Sequence, residues 1–223
     1  MSAELHGESE RGIKLRSPGF FERVIAPRIV ARACGCSVCG RLRNRVVPLA
    51  RGVVCEFGVG AGWSAPLYDR AAVEQVIGVD PDDRVLIAAA PRFARAGVPA
   101  ELRTTAAADT GLADASVDTV VSTYTLCTIP DLNAALMEAR RILKPGGQLL
   151  FCEHGRSDRP SIARWQDRVN AGWRVLAGGC NINRDIAATI TAAGFRIGQL
   201  DRFVPRSMPA IVSTHFIGSA DPA

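Results

Sequence analysis

The sequence predicts an α/β fold, a mostly parallel β-sheet with helices on both faces and an antiparallel hairpin at the end. Three observations carry this. The apolar run Val53–Phe57 leads into Gly58, Gly60 and Gly62, and a short apolar run bounded by glycines reads as a buried parallel strand feeding a tight turn. Strand-like runs then alternate with helical patterns as far as Cys152, the pattern of strand–helix–strand crossovers. Finally, Phe195–Val204 and Ala210–Ile217 are strand-like and joined by a loop holding Pro205 and Pro209, so they can pair as a hairpin at the sheet edge.

The 223 residues suffice for one sizeable core and one domain. Hydrophobic residues make up 48% and charged residues 22%, the balance of a globular protein. The net charge of +5 is spread along the chain. No run of five or six basic residues appears, which argues against nucleic acid as a partner. The seven cysteines are odd in number, and Cys55, Cys127 and Cys152 fall within or at the ends of expected core strands. That pattern reads as reduced thiols in a cytoplasmic protein. Met1–Arg16 lacks an apolar signal core, and no apolar run reaches spanning length.

In chain order, residues 1–16 read as a disordered tail and 17–223 as the domain. Within it, 17–50 is expected to form a helical cap: Phe20 to Val30 fall near helical spacing, with a bend at Pro27. Cys34, Cys36 and Cys39 could begin a zinc site, but no nearby fourth ligand exists and Cys55 is poorly placed. A helix-terminal turn with small buried thiols is expected, and no metal. Arg41–Arg51 is a basic amphipathic segment. Trp63–Arg70 reads as the first crossover helix, with Pro66 tolerated early. Asp83–Ala96 reads as a helix stopped by Gly97, and Ala100–Thr105 as a third strand. Val117–Ser122 is a fourth strand, and Asp131 caps the next helix. Lys144–Gly147 ends that helix, and Gln148–Cys152 is a fifth strand. Residues 156–193 form a helical insertion. In it Ile162, Trp165, Val169, Trp173 and Leu176 make one amphipathic stripe, and a second helix is capped by Asn183.

The candidate ligand site gathers at the carboxyl ends of the strands, where open α/β sheets bind. Glu56 precedes the first glycine. Asp80 ends the second strand 18 residues after Gly62, placed to accept both hydroxyls of a ribose. No Gly-Lys-Ser/Thr follows the glycines, which argues against a nucleoside triphosphate.

Glu56-Phe-Gly-Val-Gly-Ala-Gly62, Gly78-Val-Asp-Pro-Asp82 and Leu143-Lys-Pro-Gly-Gly147 stand in order and spacing that resemble the class I S-adenosylmethionine-dependent methyltransferases over residues 45 to 155. The resemblance implies a Rossmann-like sheet of seven strands, with S-adenosyl-L-methionine as donor and S-adenosyl-L-homocysteine as product. It implies donor contacts from Glu56, Gly58, Gly60, Gly62, Asp80, Pro81, Ala107, Ala108, Ser122 and Thr123. The family's acidic adenine ligand has Ala108 at its position here, which leaves the backbone of Ala107 and Ala108 or the neighbouring Asp109 for that contact.

Glu153-His154, the Trp-bearing helix and Gly179-Cys180-Asn181 are similar to a small-molecule branch that includes thiol, lipid and quinone methyltransferases. The expected acceptor is a small, apolar molecule, with a thiol or hydroxyl favoured. His154 is the candidate catalytic base, and Tyr124, Cys127, Trp165 and Trp173 are candidates for the substrate pocket. Two alternatives stay open: a phospholipid or quinone methyltransferase touching a membrane surface through its basic segments, and a non-catalytic S-adenosylmethionine-binding partner protein. The oligomeric state is not legible.

Overall fold

The computed structural model describes residues 34–223; the expected tail and the helix at Phe20–Val30 lie outside the described residues. One seven-stranded sheet runs in the order β3-β2-β1-β4-β5-β7-β6. Its strands are β1 Gly52–Phe57, β2 Val73–Asp80, β3 Ala100–Thr104, β4 Val117–Thr123, β5 Leu143–His154, β6 Phe195–Phe203 and β7 His215–Pro222. The first five pair in parallel. β7 is antiparallel to both β5 and β6 and lies between them, so the expected hairpin closes the sheet with its second strand innermost.

Helices cover both faces. α1 (Ser37–Arg43) and α2 (Asp83–Ala96) lie on one face, where Leu42, Leu86 and Phe93 pack on Val54, Val76 and Val121. α3 (Leu132–Ile142) and α5 (Ile186–Ala192) lie on the other, where Leu136, Ile142 and Ile190 pack on Phe57, Phe151 and Phe216. α4 (Pro160–Leu176) lies beyond the strand tips and turns Val169 and Trp173 onto a small cluster of Cys127, Cys180 and Ile182. Side-chain alternation along β1 explains the site: Cys55 and Phe57 enter one core, while Val54 enters the other.

The helices start and stop where short polar residues and glycine dictate. Asp82 caps α2 by accepting from Arg84 N, and Gly97 ends it with φ of 65°. Asp131 caps α3 by accepting from Ala134 N. The cysteine segment opens α1, with the Cys36 thiol accepting from Cys39 N at 3.4 Å. Cys39 is buried, while Cys34 and Cys36 are half-buried.

Four expectations are corrected. Trp63–Arg70 is not an α-helix; it is a turn ending in a 3-10 helix at Ala65–Leu67, because Gly62 (φ 76°) leaves the right-handed helical region and Pro66 lacks an N–H donor. Asn183 does not cap α5: Asp185 does, accepting from Ala188 N, while Asn183 donates to Asp167. Residues 210–212 form a 3-10 turn, and the last strand begins only at His215. β5 begins at Leu143 and runs through the Lys-Pro-Gly-Gly segment expected to be a turn.

Candidate functional site

A cavity of about 1000 Å³ opens at the carboxyl ends of β1, β2 and β4. Three loops form its floor: Gly58–Ala61 after β1, Asp80–Asp82 after β2, and Thr123–Thr125 after β4. Ala106–Ala108 closes one side, and Ala171, Arg174, Val175, Gly178 and Gly179 at the end of α4 form a roof. Trp63, with the Arg92 guanidinium 3.9 Å from its ring centroid, stands at the rim.

The glycine loop is shaped by what it must avoid. Gly58 has φ of 62°, and a Cβ there would collide with the Thr125 side chain. Gly62 packs on α2, where a Cβ would meet Ala89 Cα at 3.0 Å. The loop is pinned by Asp80, whose carboxylate accepts from Gly60 N and from Asp82 N, both at 3.0 Å. Burial raises the Asp80 pKa, and those two amide donors oppose the rise.

Glu56 lies beneath the loop, 1% exposed and outside the cavity lining. Tyr68 donates to its Oε2 at 2.9 Å. Burial pushes the Glu56 pKa up to about 7, against hydrogen bonds from Ser64 and Tyr68. Ser64 does reach the cavity, and its hydroxyl lies 3.5 Å from Thr123 Oγ1. Arg43 completes this wall. It is buried, donates from Nε to Thr123 Oγ1 at 3.0 Å and from a terminal nitrogen to Cys34 O at 2.6 Å, and lies 4.8 Å from the Tyr124 ring centroid.

A second buried acid shapes the turn after β4. Glu153, wholly buried, accepts through Oε1 from Ser122 Oγ at 2.8 Å, Thr125 N at 2.9 Å and Leu126 N at 3.1 Å. This lock holds Tyr124 in the left-handed region, φ 58°, which disfavours a bulky residue. Burial pushes the Glu153 pKa up to about 8.

Of the residues singled out from sequence, Gly58, Gly60, Asp80, Pro81, Ala107, Ala108, Thr123 and Tyr124 line the cavity. Glu56, Gly62 and Ser122 support it from behind. Asp109 is exposed outside it, with its carbonyl accepting from Thr105 Oγ1, so Ala106–Ala108 alone reach the cavity from this segment. Trp165 does not line this cavity: it is 58% exposed, with Arg168 beside its ring. Trp173 packs inward against the Cys127–Cys180–Ile182 cluster, behind the roof.

His154 also stands behind the wall. Its Nε2 is 3.2 Å from Cys180 Sγ, and its ring centroid is 6.2 Å from that of Tyr124. A hydrogen bond from Cys180, and then His154, pull the Cys127 thiol well below its usual range. Burial alone would lower the His154 pKa, and its interaction with Cys127 outweighs that and raises it. Sequence reasoning missed Arg43, Ser64 and Arg174, and named Glu153 only beside His154 at the end of the fifth strand. Arg43 and Arg174 read as members of basic or amphipathic stretches, and only the fold brings them to the cavity.

Comparison with known proteins agrees with this arrangement. The methyltransferase domain family matches residues 55–151. A thiol S-methyltransferase of Rattus norvegicus is 36% identical over 110 residues, 49% of this chain and 45% of the relative. A phosphatidylethanolamine N-methyltransferase of Cereibacter sphaeroides is 30% identical over 114 residues, 50% of this chain and 55% of the relative. The chain thus spans about half the length of the curated relatives it matches. A crystal structure of a SAM-dependent methyltransferase from Thermotoga maritima aligns with a TM-score of 0.62 at 23% identity, covering 91% of this chain and 98% of that one, and shares the fold. The motif order, the seven-stranded sheet and the match over residues 55–151 together make this chain similar to the class I S-adenosylmethionine-dependent methyltransferases.

Proposed function

We propose that this protein transfers a methyl group from S-adenosyl-L-methionine to a small acceptor, with a thiol the first choice and a hydroxyl the second. The observation that carries the reading is Asp80, a half-buried carboxylate at the tip of β2 that borders the cavity while holding the glycine loop through Gly60 N. The cavity suits a nucleoside sulfonium: Gly58 and Gly60 keep side chains away from one end, Asp80 offers a ribose acceptor, and Ala106–Ala108 offer backbone groups for adenine. Glu56 contributes through Ser64 and the loop, rather than by direct contact.

When bound, the donor supplies an electrophilic methyl. The chain supplies alignment and exclusion of water, through the α4 roof and the rigid turn at Tyr124. A thiol acceptor needs only a push toward thiolate. His154, the sequence candidate for that push, stands against Cys180 Sγ rather than in the cavity lining.

The thiol choice draws on the thiol S-methyltransferase similarity. It is tested by calorimetric titration with S-adenosyl-L-homocysteine, followed by a labelled-methyl screen across thiols, phenols, amines and lipids. Saturable binding with label in thiols supports the reading, and absence of binding overturns it. A lipid acceptor is the second reading. Trp165, Val175 and Leu176 are exposed along α4, and Val175 also lines the cavity, so that edge could meet an apolar substrate surface. Among the described residues no helix is long and apolar enough to cross a membrane. Binding to anionic vesicles at low and high salt tests this reading.

A further inference from the structure

Behind the cavity wall, three metal-ligating side chains meet. Cys127 follows β4, His154 ends β5, and Cys180 follows α4. Their ligand atoms all lie within 4.8 Å of one another, with Cys180 Sγ and His154 Nε2 3.2 Å apart. A tetrahedral zinc site with bonds of about 2.3 Å to sulfur and about 2.0 Å to nitrogen sets its ligand atoms roughly 3.5–3.8 Å apart. The cluster therefore needs adjustments of a few tenths of an ångström to about one ångström, within the reach of side-chain rotation.

The surroundings look built rather than incidental. Cys127 and Cys180 are 1% and 5% exposed. The Cys127 carbonyl accepts from both the backbone and side-chain nitrogens of Asn181, at 2.8 and 3.1 Å. Asn170 donates to Asn181 Oδ1 and accepts from Ile182 N. These bonds tie the two cysteine-bearing loops together before any ion arrives. Two thiolates and a neutral imidazole are soft and borderline donors that favour zinc over magnesium or calcium.

We propose that Cys127, His154 and Cys180 hold a zinc ion through three protein ligands, leaving a fourth coordination position for an exogenous sulfur ligand. Three protein ligands and one open position is the arrangement of a zinc ion that works on a substrate, whereas a purely structural zinc is closed by four. Thr128 and Gly179, the neighbours of the two cysteines in sequence, both line the cavity, so the ion would stand at its wall. On the thiol-acceptor reading above, from which this last step follows, the acceptor displaces a water from that position. Its proton passes to solvent as the zinc–sulfur bond forms. The bound thiolate then attacks the donor methyl: a sulfur–carbon bond forms as the sulfonium carbon–sulfur bond breaks. The neutral thioether that results is a weak ligand and leaves.

The test uses the full chain, purified without a histidine tag. Elemental analysis should find close to one zinc per chain, and stripped protein titrated with cobalt(II) should develop a thiolate-to-cobalt charge-transfer band saturating at one equivalent. Cys127→Ser and Cys180→Ser should abolish the band and His154→Gln should weaken it, whereas Cys36→Ser, in the other thiol cluster, should leave it unchanged. Circular dichroism on each variant separates loss of the site from loss of the fold. Adding a small thiol should shift the cobalt spectrum saturably. Metal-free wild type that takes up no cobalt, a band that survives Cys127→Ser, or a Cys127–Cys180 disulfide found by alkylation and mass spectrometry would each overturn the site. Cobalt binding without a thiol-induced shift would overturn the sulfur-ligand role. Titration with S-adenosyl-L-homocysteine runs independently, so failure of donor binding and failure of the metal site are read apart.

Discussion

Asp80 holds the Gly60 and Asp82 amides with one carboxylate and lines the cavity, where under the proposed function it would also accept from the ribose. Asp80→Ala removes both. A hydrogen bond to a charged group contributes about 1.5–3 kcal/mol, so affinity for S-adenosyl-L-homocysteine is expected to fall roughly ten- to hundredfold by calorimetry. The two buried glutamates predict a pH response. Their folded pKa values, about 7 for Glu56 and about 8 for Glu153, lie above the ordinary value of 4.5. The folded protein therefore keeps protons that the unfolded chain has released. The stability from this source is fully present below about pH 4.5 and is lost as pH rises through 7 and 8, at roughly 1.4 kcal/mol per unit for each group within its window. Thermal melts of the ligand-free protein should drop across that range, and Glu153→Gln, which keeps the Oε1 acceptor, should flatten the slope.

At the level of elements, the glycine loop and the helix caps set the tolerances. Gly62→Ala would put a Cβ against the Ala89 backbone at a φ of 76°. With about 1–2 kcal/mol for the left-handed conformation alone, the melting temperature should fall by about 2–8 °C. Asp185→Ala, which removes the α5 cap, should cost about 1 kcal/mol in denaturant titration. The boundaries of α2 were legible in the sequence because a capping Asp82 and a stopping Gly97 bracket one clear apolar stripe. The first crossover was not, because a proline inside a short polar–apolar mixture fits both a helix and a 3-10 turn. The α5 cap was missed by two residues, since Asn183 and Asp185 offer the same chemistry and only the fold decides which side chain faces the helix. Trp165 and Trp173 share one helical stripe by spacing, yet α4 rests on the body by its inner edge only, so one indole is buried and the other faces water. Strand-tip residues such as Asp80 and Thr123 were readable from local motifs. The Cys127–His154–Cys180 meeting was not, because its members come from three separate elements and make no local spacing pattern.

Across the whole molecule, the cavity joins two parts of the chain: the sheet's carboxyl edge and the end of α4. A ligand bound there should tie them together. Saturating S-adenosyl-L-homocysteine, at a hundred times its dissociation constant, should stabilise the protein by about 2.7 kcal/mol. Amide exchange should slow in residues 58–63 and 171–179, and little in the β6–β7 pair. That pair carries a consequence of its own. Among the described residues β6 hydrogen-bonds to no strand but β7, and β7 follows β6 in the chain. During synthesis β6 leaves the ribosome before its partner exists, while β5 waits with one edge bare. The sheet can be completed only once residues 215–222 slide between them, so a chain truncated after residue 203 should leave the outer edge of β5 and the strand β6 unpaired and exposed to chaperones.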